Sequence, residues 1–176
     1  MVNKKIIVLV GPSGSGKTSI GDVLVKHDIP RLTTTTTRKP RIGEVDGVDY
    51  YFRDLEDLKT EYFVEQTVYN GKRYGLTIKE VSTMLEQHNT VHVSLDQNGA
   101  EAVNKAFPEE AFIVYVQIDE ERMVRRMEKR GDSQEDIDAR IAYCRATNEL
   151  VAPSYTDLIV ENIDINTAAQ QIMDNL

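Results

Sequence analysis

Residues 11–18 read GPSGSGKT and match G-x-x-x-x-G-K-[ST] at every fixed position. Glycines let such a loop curl until successive backbone N–H groups point at one anion, and a helix starting at the loop's end aims its positive pole at the same place. Gly11, Pro12, Ser13, Gly14, Ser15, Gly16, Lys17 and Thr18 therefore form the candidate triphosphate cradle, with ATP and Mg²⁺ the expected occupants. Lys17 is placed to neutralise the β- and γ-phosphates and Thr18 to put its hydroxyl on Mg²⁺. Phosphoryl transfer relies on alignment and charge stabilisation, so no further nucleophile–base pattern is needed. His27, His88 and His92 lack metal-ligand spacing and are read as structural.

Two other basic groups suit the same chemistry. Arg38 and Arg41 flank Lys39 before a Pro-Gly turn, with Tyr50 and Tyr51 shortly after, and two guanidiniums plus a phenol can hold a second phosphate. The alternative there is a solvated basic loop. Residues 122–145 hold six of the eleven arginines, and Arg122, Arg126 and Arg130 share a helix face before Gly131 interrupts it. A mobile lid carrying positive charge to the transferred group is one reading; an exposed helix paired with Glu120, Glu121 and Glu128 is the other. Asp96 ends an apolar run, where it could reach Mg²⁺ or substrate, or simply cap a helix.

The elements that must position these groups follow from periodicity. Residues 6–10, 91–95, 112–118 and 158–160 are short apolar runs expected as buried strands. Helices are expected from Lys17 with Ile20, Val23, Leu24 and His27 inward, and after a capping box at Thr77 and Glu80 with Val81, Met84, Leu85 and His88 inward. Further helices are expected after Asp119, with Met123 and Met127, and after a second box at Asp132 and Glu135, with Ile137, Ile141 and Cys144. The last carries Ala169, Ile172, Met173 and Leu176. Asp54 to Leu58 suggests a short helix, and five threonines, Thr33 to Thr37, favour extended backbone. Strand–helix alternation in both halves argues for a parallel sheet covered on both faces, with residues 32–76 as a small β-rich insert.

Composition bounds the partners. The chain has 176 residues and a net charge of −8, which disfavours sequence-independent nucleic-acid binding. Cys144 is the only cysteine, so no internal disulfide is available and a reducing compartment fits. The apolar run at residues 6–10 is too short to span a bilayer, so a cytoplasmic, untethered chain and a monomer are the default expectations.

Taken together, the chain resembles the guanylate kinase family. Residues 36–52, TTRKPRIGEVDGVDYYF, are similar to the family's TTRxPRxGEVDGxDYxF, and Glu65 before Gly71-Lys72-Arg73-Tyr74-Gly75, Leu95-Asp96 with Gly99, and Arg126 through Arg130-Gly131 to Arg140 extend the match. The resemblance implies an α/β fold, a P-loop parallel sheet covered by helices on both faces, with a small β-rich GMP-binding insert and an arginine-rich lid. It divides one domain into core 1–31, 77–121 and 146–176, insert 32–76 and lid 122–145. It implies that Arg38, Arg41, Tyr50 and Tyr74 bind the GMP phosphate, that Thr34 and Glu65 face the guanine, and that Asp96 assists at the base or, directly or through water, at the metal. Lys17, Arg126, Arg130 and Arg140 would carry catalysis of ATP plus GMP giving ADP plus GDP, with Mg²⁺ as cofactor. Leu76, Ser94 and Asn98 depart from the family pattern on the acceptor side, and Glu161-Asn162 reverses the expected order near the adenine. Those departures keep open a kinase for another small phosphorylated acceptor, or a non-catalytic binding module.

Overall fold

The computed structural model describes residues 4–69 and 71–176. Strand β1, Lys5–Val10, is buried along nearly its whole length because it is covered on both faces. Ile7 and Leu9 pack into one apolar cluster and Ile6, Val8 and Val10 into another, the two-residue alternation of a strand in the middle of a sandwich. Helix α1, Lys17–Lys26, follows the glycine turn. Strands β2, Thr35–Thr36, β3, Tyr51–Phe52, β4, Phe63–Tyr69, and β5, Lys72–Thr77, come next, with helix α2, Ile78–Gln87, behind them. The rest runs β6 Thr90–Ser94, α3 Gln97–Ala106, β7 Ala111–Gln117, α4 Glu120–Arg130, α5 Gln134–Ala146, β8 Leu158–Glu161 and α6 Ile165–Asp174.

The main sheet is parallel throughout, in the order β6-β1-β7-β8. One face is closed by α1 and α6 through Ile20, Leu24, Ala168, Ala169 and Ile172, the other by α2 and α3 through Val81, Leu85, Ala100 and Val103. Helices α4 and α5 enclose a third cluster of Met123, Met127, Ile137 and Cys144. A second sheet, β3-β2-β5-β4, mixes one parallel pairing with two antiparallel ones. It stands between α1 and α2 in the chain. Gly75 lets its strands close up, because a Cβ there would lie 2.5 Å from the Phe63 ring and 2.7 Å from the Glu65 carbonyl.

Several expectations change. Helix α3 was anticipated only through Asp96 as a possible cap; Asp96 is its N-cap, accepting from the Gly99 N–H at 2.7 Å. The cap of α5 is Ser133, not Asp132, whose carboxylate is drawn instead to Arg130. His27 is exposed at the C-cap of α1, and His88 lies past the end of α2. Leu176 lies beyond α6 and is 42% exposed, so the apolar face there ends at Met173. The short helix near Asp54 is a single 3₁₀ turn, Leu55–Asp57.

Leu24 is fully buried between α1 and the sheet. Leu24→Ala should lower stability by about 2–5 kcal/mol in urea unfolding, with little repacking because the cavity is walled by rigid strands.

Candidate active site

The glycine turn carries the local logic of the site. Gly14 and Gly16 sit at φ +79° and +96°, and Gly16 N-caps α1 without any side-chain bond to the helix's first amides. Those amides therefore remain available to an anion. The loop's carbonyls point the other way and are met by donors. Lys17 Nζ donates to Gly11 O at 2.6 Å and to Pro12 O at 3.0 Å. Arg126 donates to Gly14 O and Ser15 O at 3.0 and 3.1 Å, and to Asn162 O at 2.7 Å. The buried Asn162 side chain donates to Ser15 O at 2.6 Å. A Cβ on Gly16 would run into the Asn162 amide, so glycine is required there for space as well as for backbone angle. Burial, with the Arg140 charge adding to it, lowers the Lys17 pKa to about 8 against the pull of Glu149 and Cys144.

Two clefts of about 560 Å³ each open beside this loop. One is lined by Lys17, Thr18, Arg126, Arg130, Asn162 and Ile163. The other lies between α1 and the second sheet and is lined by Thr18, Asp22, Thr34, Asp49, Tyr50 and Ser94. Thr18, in the first turn of α1, belongs to both. Arg31 pins the outer loop of the second cleft by donating to Val48 O at 3.1 Å.

The second sheet brings Arg38, Tyr50 and Tyr74 together. The Arg38 guanidinium stands 5.4 Å from the Tyr50 ring centroid, and the Tyr50 and Tyr74 rings meet edge-on at 5.9 Å. Arg38 is held by a two-pronged pair with Glu44, both contacts 2.8 Å. That pair, and behind it the Arg41 N–H, pulls Glu44 down to about 2. Arg41 itself is exposed and reaches the cluster only through its backbone. Glu65 lies close to Asp96; burial first and the Asp96 charge second push Glu65 up to about 7, opposed by a backbone hydrogen bond from Leu76. The Leu76 side chain is fully buried in the main core and offers the base pocket nothing polar.

The arginine-rich helices divide their tasks. Arg126 braces the loop, and Arg130 lines the first cleft while pairing with Asp132. Arg140 stands over the Tyr143 ring at 5.2 Å in a hollow it shares with Ser13 and Arg130, its Nε buried without a partner. Sequence reasoning missed Glu44 and Glu149, and it weighed Asn162 only as an adenine contact, not as the brace of the loop. Glu44 had a signal, since it lies three residues past Arg41; Glu149, whose charge acts on Lys17 across the fold, had none.

A family profile described as Guanylate kinase matches residues 3–176. The chain belongs to the guanylate kinase family. Among its relatives, the guanylate kinase of Bacillus cereus is 35% identical over 175 residues, covering 95% of this chain and 84% of that one. The guanylate kinase of Onion yellows phytoplasma is 34% identical over 183 residues, with 98% and 85% covered. The crystal structure of guanylate kinase from Anaplasma phagocytophilum superimposes with a TM-score of 0.69 at 23% identity, covering 99% of this chain and 85% of that one, and shows the same fold. The reaction is the guanylate kinase reaction, ATP-dependent phosphorylation of GMP to GDP, and neither another acceptor nor a non-catalytic module is favoured.

Glu65 yields a paired prediction. Its folded pKa lies above the unfolded value, so the native state binds more protons between about pH 4.5 and 7 and stability is lost as pH rises through that window. Glu65→Gln removes the penalty. It should raise thermal stability over the parent at pH 8, by on the order of 1–3 kcal/mol, and not at pH 4.5. The same variant should bind GMP more weakly at pH 8, because one acceptor becomes a donor; melting curves and GMP titrations at the two pH values check both.

Proposed function

We propose that the phosphoryl group passes between the two clefts at the first turn of α1, with ATP seated over the glycine turn and GMP against the second sheet. The observation that supports this is Thr18, which lines both clefts, the second of which also carries Thr34 and Tyr50 in its wall. In this reading the loop amides and Lys17 hold the β- and γ-phosphates, and Ile163 and Ile165, apolar residues on the rim of the first cleft, flank the adenine. Arg38, Arg41, Tyr50 and Tyr74 hold the GMP phosphate, and Thr34 and Glu65 face the guanine. An ionised Glu65 accepts from both N1–H and the 2-amino group of guanine, a donor pair that adenine lacks.

A GMP phosphate oxygen attacks the γ-phosphorus, the bond to the β–γ bridging oxygen breaks, and ADP and GDP result. The attacking oxygen is already anionic, so no general base is required. Arg126, Arg130 and Arg140 offset charge on the transferred group, with residues 122–145 acting as the lid that excludes water.

The Thr18 hydroxyl, on an exposed residue at the loop's end between the clefts, would hold Mg²⁺ together with phosphate oxygens and water. Bound there, it would neutralise charge on the triphosphate. Asp96 has one oxygen committed to its helix cap and stands beside Glu65, so it is assigned to the guanine side. One chain lines both clefts, which makes a monomer sufficient. No helix among the described residues is long and apolar enough to cross a membrane, and a cytoplasmic setting agrees with the single cysteine.

ADP formation in a coupled assay should depend on GMP, with AMP, UMP and CMP giving little turnover; equal rates with and without GMP would defeat the proposal. Lys17→Ala should reduce kcat by at least about a hundredfold while leaving the far-ultraviolet dichroism unchanged.

A further inference from the structure

Glu80 breaks the pattern that its sequence position predicts. It sits three residues after Thr77, and the Thr77 hydroxyl accepts from the Glu80 N–H at 3.1 Å, as in a capping box. The reciprocal bond, from the glutamate side chain back to the cap, is not what the carboxylate makes. It leaves its own helix and enters the second sheet, where Oε1 accepts from the Thr33 N–H at 2.8 Å and Oε2 from the Tyr51 hydroxyl at 3.0 Å. The residue is 8% exposed. A carboxyl group drawn that far out of water persists where its partners hold it.

Its two partners are the neighbours of two acceptor-site residues. Thr33 precedes Thr34, Tyr51 follows Tyr50, and both Thr34 and Tyr50 line the second cleft. The two segments are joined directly, Tyr51 N–H donating to Thr34 O at 2.9 Å, and run as the parallel pair β2–β3. Side chains alternate across such a pair. Thr35 and Tyr51 line a separate hollow together with Glu80, while Thr34 and Tyr50 face the cleft. Glu80 thus grips from behind the strands whose front carries the acceptor contacts, and it anchors them to a core helix.

We propose that Glu80 is a positioning residue for the GMP site, a buried clasp that fixes Thr34 and Tyr50 in the spacing the acceptor requires. The inference rests on the reading that Thr34 and Tyr50 face GMP.

Steady-state kinetics with both substrates varied test it. Glu80→Ala should raise KM for GMP by about tenfold, with KM for ATP and kcat at saturating GMP each within about twofold of the parent, the signature of lost acceptor binding. Glu80→Gln should restore KM for GMP to within about threefold, since its carbonyl still accepts from Thr33 and its amide donates to a rotated Tyr51 hydroxyl. A merely structural role would lower melting temperature and active fraction without splitting the two KM values. If Glu80→Ala does not fold, Tyr51→Phe decides: a rise of about threefold in KM for GMP alone supports the clasp, and no change overturns it. Tyr50→Phe is run alongside. A raised KM for GMP there, with folded Glu80→Ala unchanged, overturns the clasp alone. Unchanged values in both overturn the acceptor-site reading and the clasp with it.

Discussion

The constraint on which the rest depends is that a loop presenting backbone amides to an anion must turn its carbonyls somewhere else. Each exposed carbonyl needs a donor, or the turn gives up through its back what it gains at its front. In this chain the donors come from three places far apart in sequence. Lys17 covers Gly11 and Pro12, Arg126 covers Gly14 and Ser15, and Asn162 covers Ser15 again. Arg126 and Asn162 are themselves bonded to one another through the Asn162 carbonyl. The loop is thereby tied to α4 and to the end of β8. Helix α4 and the glycine turn share one hydrogen-bond network through Arg126, so movement of α4 is felt at the loop.

Charge is arranged so that substrates complete it. Burial lowers Lys17 to about 8 and raises Glu65 to about 7, two opposite displacements with one cause. Each group is poorly solvated in its ionised form, and each gains a partner when the proposed ligand arrives: triphosphate for the lysine, guanine donors for the glutamate. Arg38 is handled differently. Glu44 already neutralises it, and Tyr50 lies against its face, so it is held ready in one orientation. The first strategy leaves affinity to be released on binding, and the second reduces the entropy lost in binding.

The sequence revealed the parts whose signal is local. The apolar runs of the main sheet, the glycine turn and the segment from Thr36 to Phe52 were all visible, because burial on both faces or a fixed loop geometry restricts residue type at neighbouring positions. Helix α3 was visible only as a possible cap at Asp96. Its sequence is largely polar, and only Gly99, Ala100 and Val103 are buried, too few to write a helical period. Asp132 was read as a cap in place of Ser133 because both stand before acidic residues at similar spacing, and the competing pull of Arg130 on Asp132 is a matter of three-dimensional position. Asn162 was considered only for the adenine, from the order of Glu161 and Asn162; its bond from the side-chain amide to the Ser15 carbonyl spans 147 residues and left no mark in the sequence. Glu80 was legible as half of a capping box and illegible as anything else, since Thr33 and Tyr51 are 47 and 29 residues away.

Leu76 shows how a departure from a family pattern can be absorbed. The side chain is turned wholly into the core beside Val64 and Val81, where a hydroxyl would be buried among apolar atoms. Its backbone still bonds the Glu65 carboxyl and opposes the upward shift there. In the proposed acceptor site, recognition of the base would fall more heavily on the Glu65–Asp96 pair, and that pair is held by backbone. Asp96 is locked by the first turn of α3, and a Cβ on Gly99 would press within 3.3 Å of the Glu65 carboxylate. In that reading, two carboxyls with little freedom to move stand where a hydroxyl contact is missing. The small residue at Gly99 is what leaves them room to stand together.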